Sequence, residues 1–367
     1  MVDVTCYHGG AFWERLDPRF QSPNRFGDII NADVLDAWFP PSPRVADALA
    51  DIAEWSMQTS PPTYSEGLIA EIASHYAVPE DQLLVGAGSS SLWFLFASRT
   101  LRPSSHVLLI EPSYGEYAHV CEQVVGCRVS RLTLSPDDGF RLDLEQWTAR
   151  LADGAFDLAV LVNPNNPTGH PVDRDDLLAA LRAVPRRTLV LIDEAYMEFW
   201  NPGESLLSMA DLPPNVSVVC SFSKRFALSG LRSAMLRTNP HLRSDLARWT
   251  PPWAVSLPAQ AATCAAFRDL AYYHDRYQET HRLRGELASG LAGLGLEVHD
   301  SCANWLNLRV PRAEAFRVAC LREGLFVRNL GKSAPSLGDE WVRVAVKDAS
   351  TNQRMVDAIG SIVACRT

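Results

Sequence analysis

The chemistry of this chain starts from a scarce residue. Of 34 basic side chains only three are lysine, Lys224, Lys332 and Lys347; the other 31 are arginine. Lys224 lies in Ser221-Phe222-Ser223-Lys224-Arg225-Phe226-Ala227-Leu228-Ser229-Gly230-Leu231-Arg232, directly after the apolar run Val216–Cys220. Two serine hydroxyls and the Arg232 guanidinium are the donors a phosphate dianion needs. An amine among anion-binding groups points to a Schiff base with a phosphorylated aldehyde. Taken alone, a solvated loop lysine is the plainer reading. Lys332, in the Gly331–Ser333 loop, and Lys347 have no such neighbours in sequence.

Other segments shift that balance. Asn163-Pro164-Asn165-Asn166-Pro167-Thr168-Gly169 follows the run Leu158–Val162. Its residues form turns readily, and an Asn166 amide can also donate to a ring hydroxylate. Asp193-Glu194-Ala195-Tyr196 ends the run Leu189–Ile192. A carboxylate there can pair with a pyridinium nitrogen and keep it protonated, so that the ring drains electrons from a substrate Cα. Tyr196 can donate to the ring oxygen. Gly88-Ser89-Ser90-Ser91 opens a helical pattern, and its free N–H groups make either an anion site or an ordinary serine cap. Tyr114, in Glu111-Pro112-Ser113-Tyr114-Gly115, follows another strand candidate and can stack on an aromatic ring or simply pack.

These residues must be positioned by something, and the pattern says what. Between about residues 66 and 237 short apolar runs alternate with helical stretches: Leu83–Val85, Val107–Ile110, Leu158–Val162, Leu189–Ile192, Val216–Cys220 and Leu231–Leu236 read as strands. Their unbroken apolar character suits strands covered on both faces, hence a mainly parallel sheet between helices, an α/β layered body. Beyond Pro258 a charged, helix-rich stretch runs from about Ala259 to Leu294. Strand candidates follow at Trp305–Val310 and Val342–Val346, with helical patterns at Ala313–Glu323 and Thr351–Val363. The chain therefore divides into an N-terminal arm (1–40), a large α/β domain (41–257) and a small α+β domain (258–367).

Composition excludes several classes. The formal charge of −9 and the lack of long basic runs argue against nucleic acid. No apolar stretch approaches a membrane span, and Met1–Cys6 has neither a basic nor an apolar leader region. None of the eight cysteines forms a Cys-x-x-Cys pair, so no metal site is expected, and the cysteines read as reduced thiols of a cytoplasmic protein.

Asn-Asn-Pro-Thr-Gly (165–169), Asp-Glu-Ala-Tyr (193–196) and Ser-x-Ser-Lys-x-Phe-x-Leu-x-Gly-Leu-Arg (221–232), in this order over nearly the whole chain, resemble the fold type I pyridoxal-phosphate enzymes, the class I/II aminotransferase superfamily. Within it the chain stands nearest the histidinol-phosphate aminotransferase and threonine-phosphate decarboxylase branch. The resemblance implies pyridoxal 5'-phosphate as cofactor and Lys224 as the lysine of its internal aldimine. It puts Asp193 on the pyridine nitrogen, Asn166 and Tyr196 on the ring oxygen and Tyr114 on the ring face. The amides of Ser89 and Ser90, with Ser221, Ser223 and Arg232, would hold the cofactor phosphate. It further implies a homodimer with sites at the subunit interface, where Tyr64 is the nearest match, a few residues out of register, for the tyrosine that crosses to the partner's phosphate.

On the substrate side the resemblance assigns the α-carboxylate to Arg343, a distal phosphate to Arg328 and a nearby polar position to Asn304. His8, in Tyr7-His8-Gly9-Gly10, would approach the distal group, and Pro252-Trp253-Ala254-Val255 resembles the decarboxylases' Pro-Trp-Ser-Val. One departure stands out. Relatives carry an Asn-Pro-x-Gly-like turn near residue 35, where this chain has Val34-Leu35-Asp36-Ala37-Trp38-Phe39, so Trp38 and Phe39 either reshape the substrate mouth or pack. The expectation is an aminotransferase for an amino acid or amine with a distal anionic group, phosphate or phosphonate. The alternatives are an α-decarboxylase of a phospho- or phosphono-amino acid, a natural-product cyclase or oxidase, and a non-catalytic cofactor-binding protein.

Overall fold

The computed structural model describes residues 6, 10–16, 19, 27 and 29–364; His8 lies outside them. Thirteen strands are present among the described residues: β1 (Ile30–Asn31), β2 (Leu83–Gly86), β3 (His106–Glu111), β4 (Arg128–Thr133), β5 (Leu158–Val162), β6 (Leu189–Asp193), β7 (Val216–Ser221), β8 (Ala234–Arg237), β9 (Glu297–His299), β10 (Trp305–Arg309), β11 (Leu325–Phe326), β12 (Arg328–Asn329) and β13 (Trp341–Ala345).

Seven of them form one sheet in the order β2-β8-β7-β6-β5-β3-β4. Every pairing is parallel except those of β8, which runs against both β2 and β7. Strands β5 and β7 are buried along their whole length, which is why they read as unbroken apolar runs. The edge strand β4 escaped the sequence reading for the opposite reason. Arg-Val-Ser-Arg-Leu-Thr is only half covered, and its polar alternation hides it among loop residues.

Two boundaries differ from expectation. The strand expected from Leu231 begins at Ala234, because Arg232 adopts a left-handed φ of 58° that no extended strand accommodates. The stretch 259–294 is two helices, Leu257–Phe267 and Leu270–Gly293, interrupted at Arg268 and Asp269. The helix Pro43–Gln58, with proline in its first turn, precedes the alternation read from residue 66 and packs on Leu257–Phe267.

A second sheet, β12-β13-β10-β9, is wholly antiparallel. The segment 30–36 is fastened to this part of the molecule. β1 pairs in parallel with β11, and the Ala345 N–H donates to the Ala32 carbonyl at 2.9 Å. That seam carries the segment past the carboxyl edge of the large sheet. Among the described residues no helix is long and apolar enough to cross a membrane.

Candidate active site

Because β8 alone is reversed, the carboxyl ends of β2, β3, β5, β6 and β7 and the amino end of β8 share one edge of the sheet, where open α/β sheets place their ligands. A cavity of about 160 Å³ lies there. Its lining includes Ser89, Tyr114, Asn166, Asp193, Tyr196, Ser221, Lys224, Arg328 and Arg343. Residues spread over 255 positions of sequence, from 89 to 343, thus meet in one space.

The anion end is built around a glycine. Gly88 caps the twelve-residue helix Ser89–Thr100 with φ 92°, so the helix's first N–H groups face the cavity mouth. A Cβ on Gly88 would stand 2.4 Å from Arg232 Nη2. Only glycine lets the guanidinium close on the helix terminus. Arg232 Nη1 donates to Ser223 Oγ at 3.2 Å and to the Ser229 carbonyl at 3.2 Å, which fixes its orientation. A helix N-terminus, a guanidinium and the Ser221 hydroxyl around one gap fit a phosphate group. Ser90 belongs elsewhere: its hydroxyl donates to Glu116 Oε2 at 2.9 Å, so only its backbone amide is left to serve an anion.

Deeper in, Asp193 ends β6 as a buried carboxylate. Its Oδ2 accepts from Tyr117 Oη at 2.7 Å and its Oδ1 from the Ala195 N–H at 2.9 Å. Burial pushes its pKa up to about 6 despite these two bonds, and Glu116 adds to the rise. A buried carboxyl at this edge of the sheet suits a pyridinium N–H. Tyr196 is also buried, edge-on to Trp305 at 4.7 Å between centroids, and burial raises its hydroxyl pKa. Tyr114 Oη donates to Glu116 Oε2 at 3.2 Å, and its ring lines the cavity. The donor set therefore fits pyridoxal phosphate: a phosphate cradle, a carboxyl for the ring nitrogen, hydroxyl and amide groups between, and an amine.

The substrate end carries two arginines. Arg328 and Arg343 face each other across β12 and β13, and both are buried. Arg343 donates to Asn166 Oδ1 at 2.6 Å and to the Asp33 carbonyl at 3.1 Å. Burial, helped by the Arg328 charge, lowers its pKa to about 10. Arg328 Nε stands 2.6 Å from Asp33 Oδ1. Like charges opposed across a ladder are destabilising, and one carboxylate offsets one of them.

Some expected residues sit elsewhere. Asn304 is fully buried and donates to the Leu35 carbonyl at 3.3 Å, so it holds the segment 33–36 and does not line the cavity. Tyr64 is exposed and lines a separate hollow with Arg243 and Asp81; within one chain it does not approach the site. Trp38 and Phe39 pack: Trp38 Nε1 donates to Thr280 Oγ1 at 2.8 Å, and Phe39 lies buried against Tyr273 and Tyr277. Four residues were missed by the sequence reading: Asp33, Asp36, Tyr117 and Lys347. Asp36 Oδ1 lies 2.7 Å from Lys224 Nζ, and both charges act on Lys347. None sits in a motif, and only the unusual run Val34–Phe39 hinted at Asp36.

Comparison with known proteins gives the family. The model of the family described as aminotransferase class I and II matches residues 30–359. The histidinol-phosphate aminotransferase of Symbiobacterium thermophilum is 35% identical over 337 residues, covering 90% of each chain. Among solved structures, a histidinol-phosphate aminotransferase from Sinorhizobium meliloti in complex with pyridoxal-5'-phosphate superposes with TM-score 0.85 at 20% identity, covering 100% of this chain and 98% of that one. An L-threonine-O-3-phosphate decarboxylase from Porphyromonas gingivalis gives 0.79 at 22%, covering 92% and 100%.

Proposed function

The chain belongs to the class I and II aminotransferase family, and on that premise we propose that it is a pyridoxal-phosphate-dependent aminotransferase for an amino acid or amine carrying a distal anionic group. The observation that carries the substrate reading is the buried, opposed pair Arg328 and Arg343 with Asp33 between them. One guanidinium would serve the α-carboxylate; the other, paired with Asp33 in this structure, would exchange that carboxylate for a second anion.

Arg232, Ser221, Ser223 and the amides of Ser89 and Ser90 would hold the cofactor phosphate, Asp193 its ring nitrogen, Asn166 and Tyr196 its ring oxygen, and Tyr114 its face. Bound there, pyridoxal phosphate supplies an electron-withdrawing ring that loosens the bonds at a substrate Cα. Lys224 is the amine that would bond the cofactor and move the proton at Cα. Arg343 would fix the α-carboxylate through a bidentate fork, and Asn166, which accepts from Arg343, would couple that fork to the cofactor's oxygen. Anchoring the carboxylate at Arg343 leaves the Cα–H bond to be presented to Lys224, which favours amino-group transfer over decarboxylation. Incubating the loaded enzyme with amino acids and 2-oxo acids tests this. Carbon dioxide released without amino-group exchange makes it a decarboxylase instead.

The distal group is tested at Asp33. Asp33→Asn removes the carboxylate that competes for Arg328. It is expected to lower KM about tenfold for amino acids ending in phosphate, while Arg328→Ala raises it about tenfold or more. Equal KM values in both variants would remove the distal anion from the reading.

A homodimer completes the site in this proposal. Trp55, Met57, Tyr64, Trp249 and Trp253 are all exposed apolar side chains, and the Trp253 N–H donates to the Thr63 carbonyl at 2.8 Å, tying two of these segments together. Sedimentation is expected to give twice the 40.6 kDa chain mass. Tyr64→Phe is expected to weaken cofactor binding about tenfold without dissociating the dimer; unchanged cofactor affinity would remove Tyr64 from the partner's phosphate site.

A further inference from the structure

The run Asp33-Val34-Leu35-Asp36 brings a second carboxylate into the site, and it meets the lysine itself. Asp36 Oδ1 lies 2.7 Å from Lys224 Nζ and accepts from Ser229 Oγ at 2.6 Å. Ser229 stands on the loop that also positions Arg232, whose Nη1 donates to the Ser229 carbonyl. The strap bearing Asp36 is held by Asn304 on the Leu35 carbonyl and by β13 on the Ala32 carbonyl. The carboxylate is therefore placed by three separate elements rather than swinging on a free loop. Its surroundings support a charged group. Burial raises the Asp36 pKa, but Lys224, Ser229 and Lys347 together bring it below the ordinary carboxylate value. Lys347 is itself pushed down to about 8 by burial, with Asp36 opposing and Lys224 reinforcing that fall.

We propose that Asp36 is the positioning counter-ion of Lys224: it holds the lysine amine whenever that amine is not bonded to the cofactor, and keeps it aimed at the substrate while the lysine moves the Cα proton during turnover. The proposal rests on the reading of Lys224 given above. Asp36 stays a carboxylate throughout, and no bond to its Oδ1 is made or broken. A neutral amine can accept the Cα proton; the charged amine can return it. Ser229 keeps one lone pair of Oδ1 engaged, which holds the carboxylate on the lysine through both states. An electrostatic neighbour that touches the reacting nitrogen acts on the proton step, whereas one that merely braced the strap would act on cofactor binding and folding.

The test is Asp36→Asn in the cofactor-loaded enzyme, with Asp36→Glu as the conservative variant. Three quantities are read: cofactor fixed to Lys224 by borohydride and located by peptide mass, thermal unfolding, and the rate at which solvent deuterium enters Cα of a bound amino acid. Asp36→Asn is expected to retain fixed cofactor, unfolding temperature and KM, and to slow deuterium entry about 10²-fold. Asp36→Glu is expected to recover about a tenth or more of the lost rate. Deuterium entry at the unaltered rate in Asp36→Asn overturns the proposal. So does equal loss of bound cofactor in both variants, since that marks a bracing role. If Asp36→Asn does not fold, Ser229→Ala is measured, and it is expected to slow deuterium entry several-fold; no change there also overturns it. Failure to fix cofactor on Lys224 in the unaltered chain instead removes the underlying reading, and this proposal with it.

Discussion

Lys224→Ala is expected to lower turnover by about 10⁴-fold, because it deletes both the covalent hold on the cofactor and the group that moves the Cα proton. The variant should keep its fold. Lys224 is a part-buried side chain on a four-residue helical turn whose backbone is fixed by Phe222, Phe226 and the Tyr277 hydroxyl bond to the Arg225 carbonyl. Borohydride should no longer attach cofactor to the chain. Lys332→Ala is the control: Lys332 Nζ pairs with Glu314 at 3.0 Å on an exposed face, and its loss should leave turnover within about twofold, as for surface ion pairs in general. Equal losses in the two variants would take the chemistry away from Lys224.

Asp193→Asn is expected to reduce kcat by about 10³-fold, since the neutral amide cannot hold a proton on the ring nitrogen. The same substitution should make the cofactor-free protein more stable at neutral pH, and that opposition is the distinguishing sign. The folded-state pKa of Asp193, about 6, lies above its ordinary value of 3.8. The folded chain therefore binds this proton more tightly than the unfolded chain does. The stability so gained is fully present below about pH 4 and is lost as pH rises through about 6. Two pH units correspond to about 3 kcal/mol. Glu194, raised to about 7 by burial, acts in the same direction beside it. Unfolding temperatures of the cofactor-free chain at pH 5 and pH 7.5 should fall between the two, and Asp193→Asn should flatten that fall. A variant with lower activity and an unchanged pH slope would mean that Asp193 is not the strained carboxyl.

The parts of this site that sequence made legible are those attached to buried parallel strands. Leu158–Val162, Leu189–Ile192 and Val216–Cys220 announce themselves by continuous apolar runs, and each delivers Asn166, Asp193 or Lys224 within a few residues of its end. What was hidden depended on contacts far apart in the chain. Asp36 meets Lys224 across 188 positions, and Tyr117 reaches Asp193 across 76. Neither lies at a periodic or motif position. Asn304 was placed by analogy beside the substrate and in fact supports the Leu35 carbonyl. Lys347 was set aside because its sequence neighbours bind nothing, yet the end of β13 brings it within electrostatic reach of Asp36 and Lys224.

The reversed strand β8 has a consequence for how the site comes together in time. Because β7 and β8 are antiparallel neighbours, the chain need not cross the sheet between them. Ser223, Lys224, Ser229 and Arg232 are all carried on that one short connection, with Ser221 at the end of β7. Ser221 pairs with Ala234 at its base, and Phe222 N–H donates to the Ser233 carbonyl. A loop this short closes at little entropic cost compared with the long crossovers that bring in Asp193 or Arg343. During refolding, protection of the amides of β7 and β8 should precede protection of β12 and β13. The anion-binding turn would then exist as a local unit before the substrate arginines have found each other.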